Sequence, residues 1–186
     1  MKDLAQDSGK YLSALRNLHS LKLYNIRLEH ISGDKFRTCF SAFRETLTSL
    51  SLENFATSFS AFVTLVDYFP NVTTLQLRLV EPEPDEGPVP SLSRPLQGKL
   101  HVHEVHVNYL KFFNQFAQLE LEYEELVIDT SLSTPAGTLF VESALRISPS
   151  TVKSLRLTMA DLECGYPLSV LLTKIPLLPN PPILTR

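Results

Sequence analysis

An apolar–polar–apolar triplet returns six times along this chain, with its outer members at Leu21/Leu23, Leu50/Leu52, Leu75/Leu77, Leu100/Val102, Leu126/Ile128 and Leu155/Leu157. The steps between first members are 29, 25, 25, 26 and 29 residues. Each pair sits in a short alternating run, HSLKLYN, TSLSLEN, TTLQLRL, GKLHVHEV, ELVID and KSLRLTM. Period two marks a half-buried strand whose paired aliphatics point to one side.

Between most strands the period changes to that of a helix. In DKFRTCFSAFRETL the apolar positions Phe36, Cys39, Phe40, Phe43 and Leu47 share one helical face, with Asp34 or Ser32 placed to cap it. SFSAFVTLVDYFP repeats the pattern at Phe59, Phe62, Val63 and Val66, starts after Thr57 or Ser58 and stops at Pro70. NYLKFFNQFAQL follows with Leu110, Phe113 and Ala117 flanked by Phe112 and Phe116, and TPAGTLFVESALRISP more weakly with Phe140, Ala144 and Ile147. The gap EPEPDEGPVPSLSRP has no apolar period and is expected to be a loop over 81–95. A strand–helix unit of this size cannot cover its own apolar side, so equivalent units must stack. Steps of 25 to 29 residues are those of a leucine-rich repeat. The expected fold is therefore α/β, a leucine-rich-repeat-like solenoid with parallel strands on the concave side and helices on the convex side. Residues 1–178 form one irregular repeat domain in this reading, and 179–186 a C-terminal tail.

The segments LRNLHSLKLYNIRLE, FRETLTSLSLENF, FPNVTTLQLRL, GKLHVHEV and FAQLELEYEELVID resemble the leucine-rich repeat region of F-box proteins of the irregular, fungal type, over roughly residues 11–160. The resemblance implies that the repeats hold a protein destined for ubiquitination, while an F-box of L-P-x-E type docks on the Skp1 adaptor of a cullin ligase. No segment here carries the F-box pattern, so a Skp1-type adaptor is expected only where an F-box lies upstream. The repeat consensus places asparagine three residues after the second leucine, where this chain has Ile26, Phe55, Val80 and Ala160. The turns are then expected to find other hydrogen-bond partners.

Residues that alternate with the inward aliphatics should line the concave face. Strand by strand these are Ser20, Lys22 and Tyr24; Ser49, Ser51 and Glu53; Thr74, Gln76 and Arg78; Lys99, His101 and His103; Glu125, Val127 and Asp129; Ser154, Arg156 and Thr158. The candidate contacts for a protein or peptide partner are Lys22, Tyr24, Ser51, Glu53, Gln76, Arg78, His101, His103, Val127, Asp129, Arg156 and Thr158. Tyr24, Arg78 and Arg156 are of the types that most often anchor interfaces.

Composition narrows the alternatives. With 17 Lys and Arg against 20 Asp and Glu, the chain lacks the cationic excess that binding nucleic acid or an anionic membrane requires. Cys39 and Cys164 offer neither a disulfide framework nor metal-ligand spacing, which favours a reducing, intracellular compartment. The opening MKDLAQDSGKYLSALRNL has no signal-peptide core, and PLSVLLTKIPLL is too short and too interrupted to span a bilayer. Asn71-Val72-Thr73 is a formal glycosylation sequon.

Catalytic signatures are absent from the sequence. His101, His103 and His106 approach metal-ligand spacing, but Val105 stands where H-x-H-x-D-H needs an acid and Val107 where H-E-x-x-H needs a histidine. The glycines form no phosphate loop or nucleophile turn, and Cys39 falls on an apolar helix face. The chain is accordingly read as a non-enzyme without cofactor or metal. Two other readings are a truncated or relic structural fragment with no partner of its own, and a His-based metal enzyme.

Overall fold

The computed structural model describes residues 15–27, 33–82, 91–103, 112, 115–116, 119, 121–131, 152–160 and 183–185. Its elements are β1 (Ser20–Tyr24), α1 (Gly33–Phe40), β2 (Ser49–Thr57), α2 (Phe59–Tyr68), β3 (Thr74–Pro82), β4 (Leu96–His103), β5 (Leu121–Ser131), β6 (Ser154–Ala160) and β7 (Ile183–Thr185). The protein is α/β, and all seven strands lie in one parallel sheet whose spatial order is the order of the sequence. The aliphatic pairs meet in register from strand to strand: Leu21, Leu50, Leu75, Leu100, Leu126 and Leu155 form one row, and Leu23, Leu52, Leu77, Val102, Ile128 and Leu157 the next.

A recurring backbone contact sets that register. The carbonyl of His19 accepts from Thr48 N and Ser49 N (2.9 and 3.0 Å), and the carbonyl of Thr48 accepts from Thr73 N and Thr74 N (2.9 and 3.0 Å). The Thr73 carbonyl in turn accepts from Lys99 N, and that of Glu124 from Lys153 N, both at 2.8 Å. Gly98 is required at this level of the sheet. Its φ is +88°, and a Cβ there would lie 2.2 Å from the Thr73 carbonyl oxygen. Pairing with β5 shifts at the same point, so that Gly98 faces Tyr123 but Lys99 faces Glu125.

The first three strands share a left-handed residue two positions after the second leucine: Asn25 (φ 56°), Asn54 (φ 48°) and Leu79 (φ 48°). Asn54 Nδ2 donates to Asn25 Oδ1 at 3.1 Å, joining two of them across the sheet. The left-handed residue reverses the alternation, so the next side chain, Phe55 or Val80, turns into the core. The chain therefore does not turn where the repeat consensus would have it turn. Phe55 pairs with Val80, Ala56 N donates to the Ile26 carbonyl, and Ala160 pairs with Ser131. Backbone groups expected to need turn partners are satisfied by a longer sheet.

Helices α1 and α2 cover the leucine side. Ser58 caps α2, its hydroxyl accepting from Ala61 N at 3.2 Å, and the helix ends at Phe69 before Pro70. Phe59, Phe62, Val63, Leu65 and Val66 of α2 are buried. Helix α1 is shorter than its pattern predicts: after Phe40 the chain tightens into a 3₁₀ turn over Ser41–Phe43. The Ser41 hydroxyl donates to the Thr38 carbonyl at 3.3 Å, a bond that competes with continued α-helix. Phe40, Phe43 and Leu47 nonetheless reach the core.

Aromatic rings fill the space between sheet and helices. Phe40, Phe43 and Phe69 form one group, with centroids 5.7 to 6.2 Å apart. Phe59 and Phe62 meet Phe112 at 5.2 and 5.0 Å, and Phe116 lies 6.4 Å from Tyr123 in a stacked pair. Residues 112, 115 and 116 are helical. The remaining residues singled out on that third predicted helix, Leu110, Phe113 and Ala117, lie outside the described residues, as do the fourth predicted helix, the loop residues 83–90 and the apolar stretch 167–178. Strand β3 runs two residues into the segment expected to be loop, to Pro82. The loop's described end is fastened to the far end of α2. Asp67 accepts from Ser93 N (2.8 Å) and Ser93 Oγ (2.6 Å), and Arg94 donates to the Phe69 carbonyl at 2.6 Å. Strand β7 falls in the segment read from sequence as a tail. No helix among the described residues is long and apolar enough to cross a membrane.

Two substitutions test the backbone argument. Gly98→Ala should destabilise the purified chain by more than about 1 kcal/mol in urea denaturation, since it combines a forbidden φ with a backbone collision. Leu79→Asn should raise stability by about 1 kcal/mol, because asparagine tolerates the left-handed conformation that leucine resists; a lower denaturation midpoint would count against that account.

Candidate partner-binding face

The side of the sheet opposite the leucines carries the alternate residues, and parallel pairing sorts them into three rows across six strands. One row runs Ser20, Ser49, Thr74, Lys99, Glu125, Ser154; the second Lys22, Ser51, Gln76, His101, Val127, Arg156; the third Tyr24, Glu53, Arg78, His103, Asp129, Thr158. The twelve candidate contacts thus stand in the second and third rows. In β7, Ile183 and Thr185 continue those rows beside Arg156 and Thr158. Nothing in the aliphatic pattern marked β7, since Pro182 occupies the position equivalent to a first leucine.

Tyr24 is the outstanding apolar surface on this face, 61% exposed. Arg78 and Arg156 are exposed, while Ser51, Glu53, Gln76, His101, His103 and Asp129 are half-buried. Val127 behaves differently from its neighbours and is only 7% exposed. It stands between His101 and Arg156, two longer side chains whose stems shield a short branched one.

Charges on the face are largely paired with one another. Glu53, whose side chain is 14% exposed, is held by Lys22 from β1 and by Arg78 from β3, the latter at 3.4 Å. Glu125 binds Lys99 at 2.7 Å and has His101 Nε2 at 3.9 Å. His103 Nδ1 lies 3.3 Å from Asp129. Below the three rows, Gln97 donates to Glu122 and Lys153 to Glu124, a further set of contacts at the bulge that sequence signalled only through Gly98. Adjacent strands are about 4.8 Å apart, close enough for each charge to reach across one neighbour.

Two groups on this face have displaced protonation equilibria. The hydrogen bond from Lys99 holds the Glu125 carboxyl below the usual carboxylate range, against a smaller opposing effect of burial. Burial pushes the His101 imidazole below its ordinary 6.5; Glu125 opposes this, while His103, Lys99 and Arg156 reinforce it. Its Nε2 is buried without a hydrogen-bond partner. A neutral ring is the form that such a site favours.

The histidines do not assemble a metal centre among the described residues, where no group of three or more His, Cys, Asp or Glu side chains is placed to hold an ion. His106 and Glu104 lie outside the described residues. Cys39 is half-buried and packs against the core. No protein-family model matches the chain, and no curated protein matches it significantly.

Because His101 takes up its proton at lower pH when folded than when unfolded, the unfolded chain binds more protons in the window below 6.5. The contribution is complete above that value and is lost as pH falls through the window. Glu125 acts in the same direction below 4.5. Melting temperature should therefore fall between about pH 7 and pH 5, and His101→Asn should flatten that decline. An unchanged slope in the variant would exclude His101 as its source.

Proposed function

We propose that the chain is a non-catalytic protein-interaction module, a leucine-rich-repeat-like solenoid whose polar sheet face is concave and docks a protein or peptide. The observation that carries the reading is the strand order. Seven parallel strands follow one another without reversal, as stacked equivalent units do. A doubly wound sheet instead reverses its order at a switch point, where its ligand binds. With no switch point in the sheet, the broad surface for recognition is the face itself.

The face supports this use because its side chains are held in place before any partner arrives. Lys22, Glu53, Arg78, Lys99, Glu125, His103 and Asp129 are tied into ion pairs and hydrogen bonds across neighbouring strands. Less side-chain entropy is then lost on docking. In this proposal the module plays the part that the repeats of an F-box receptor play for the protein they present. A Skp1-type adaptor enters only through an F-box elsewhere in the gene product.

The test is cross-linking followed by affinity recovery, comparing the native chain with a variant carrying Tyr24→Ala, Arg78→Ala and Arg156→Ala. Exposed positions of this kind should change stability by no more than about 0.5 kcal/mol each, so the variant should stay folded and melt within about 6 °C of the native chain. Partner recovery should fall at least about tenfold, the loss of one strong interface anchor. Equal recovery would remove the face from consideration.

A further inference from the structure

Two polar atoms beside the aromatic core are buried with no protein group bonded to them, the hydroxyl of Tyr123 and Nε of Arg94. Tyr123 is 1% exposed, and its ring stacks on Phe116 with centroids 6.4 Å apart. In the β4–β5 pairing it stands opposite Gly98, which has no side chain to offer a bond. Arg94 precedes that strand, and its other two guanidinium nitrogens are already engaged: Nη2 donates to the Phe69 carbonyl at 2.6 Å and Nη1 to that of Pro95 at 3.4 Å. The plane of the guanidinium is thereby fixed, and Nε cannot turn to solvent without giving up the Phe69 bond. Burial raises the ionisation of Tyr123, and the charge acting against that rise is Arg94, so the two groups share one region of the interior. An Nε–H can only donate, whereas a tyrosine hydroxyl donates or accepts. One small molecule able to do both satisfies the pair.

We propose that a single internal water bridges Arg94 Nε and the Tyr123 hydroxyl, fastening the approach to β4 to the neighbouring strand β5. The proposal is independent of the docking reading. Apolar cavities stay dry, but a buried site offering two unsatisfied polar groups retains water as part of the fold. A chloride ion could also accept from both donors. It fits less well, because the Phe69 carbonyl that holds Arg94 belongs to the C-terminal end of α2, where the backbone carries partial negative charge. The water completes a fastening that Asp67 begins by accepting from Ser93. The connection from β3 is then tied to α2 by side chains and to β5 through the water.

The experiment compares thermal melting of the native chain, Tyr123→Phe, Arg94→Lys and the double variant, with NMR of the native chain beside it. Tyr123→Phe removes the hydroxyl and keeps the stacked ring. Its melting temperature should fall by about 2–4 °C, the loss of one hydrogen-bonded link. A rise would mean that the hydroxyl is left unsatisfied in the native chain, and would overturn the proposal. Arg94→Lys keeps the charge but removes the Nε–H, so in that background Tyr123→Phe should cost about half as much or less. An equal fall in both backgrounds would overturn the bridge. The Hε protons of Tyr123 should show a cross-peak to a long-lived water, and its absence would count against the site whatever the variants do. A native melting temperature that rises when chloride replaces gluconate at constant ionic strength, with no such rise in Tyr123→Phe, would place an anion there and overturn the water.

Discussion

A leucine pair on a single strand–helix unit leaves apolar surface that only the units above and below can cover, and this mutual covering organises the molecule. Leu50 and Leu52 are buried because β1 and β3 flank them in register and α1 and α2 lie over them. The same holds for Leu75 and Leu77 between β2 and β4. Burial worth about 1.5–3 kcal/mol per large aliphatic side chain is available only when neighbouring strands align. Stability and register are therefore one constraint, and the outward residues are placed by it without choosing their own positions.

The helix layer meets the same demand less regularly. Between β3 and β4 none of the described residues is helical, yet the core is continuous there. Phe112 and Phe116, from the connection after β4, reach back to Phe59 and Phe62 of α2. Large flat side chains bridge a gap that aliphatic ones would leave open. Asp67 and Arg94 then fix the end of the acidic connection against α2, with the guanidinium donating to a carbonyl at the helix C-terminus where positive charge is favoured. One strain remains beside this layer: the Tyr123 hydroxyl and Arg94 Nε are buried without hydrogen-bond partners, and burial pushes the tyrosine's ionisation well above its ordinary value.

The six strands and the rows on their polar side were legible because alternation is a local signal and the aliphatic pairs repeat it at nearly constant spacing. The cap and stop of α2 were legible for a similar reason, since Ser58 and Pro70 act through their own backbone. Three features were not. The left-handed residues depend on pairing: Asn25 and Asn54 announce themselves by type, but Leu79 gives no such sign and takes the conformation of its neighbours in the sheet. The burial of Val127 depends on side chains from two other strands. Strand β7 is three residues long and is preceded in the sequence by Pro182 where the pattern would have its first leucine, so only the edge offered by β6 identifies it.

The carbonyls of His19 and Thr48, each receiving two amides where the following strand begins, and that of Thr73, receiving Lys99 N beside the bulge in β4, act as alignment notches. Whatever length of chain intervenes, the next strand is reset at the notch, and a slip of one residue would forfeit these bonds together with the leucine rows. The connections are thereby relieved of any duty to measure distance. Closing a loop costs only about 0.6 kcal/mol more each time its length doubles, so insertions and deletions can accumulate between strands while the pattern of outward residues is transmitted intact. Diversity in such a protein should collect in its crossovers, where length is cheap, and in its outward letters, where packing does not read them.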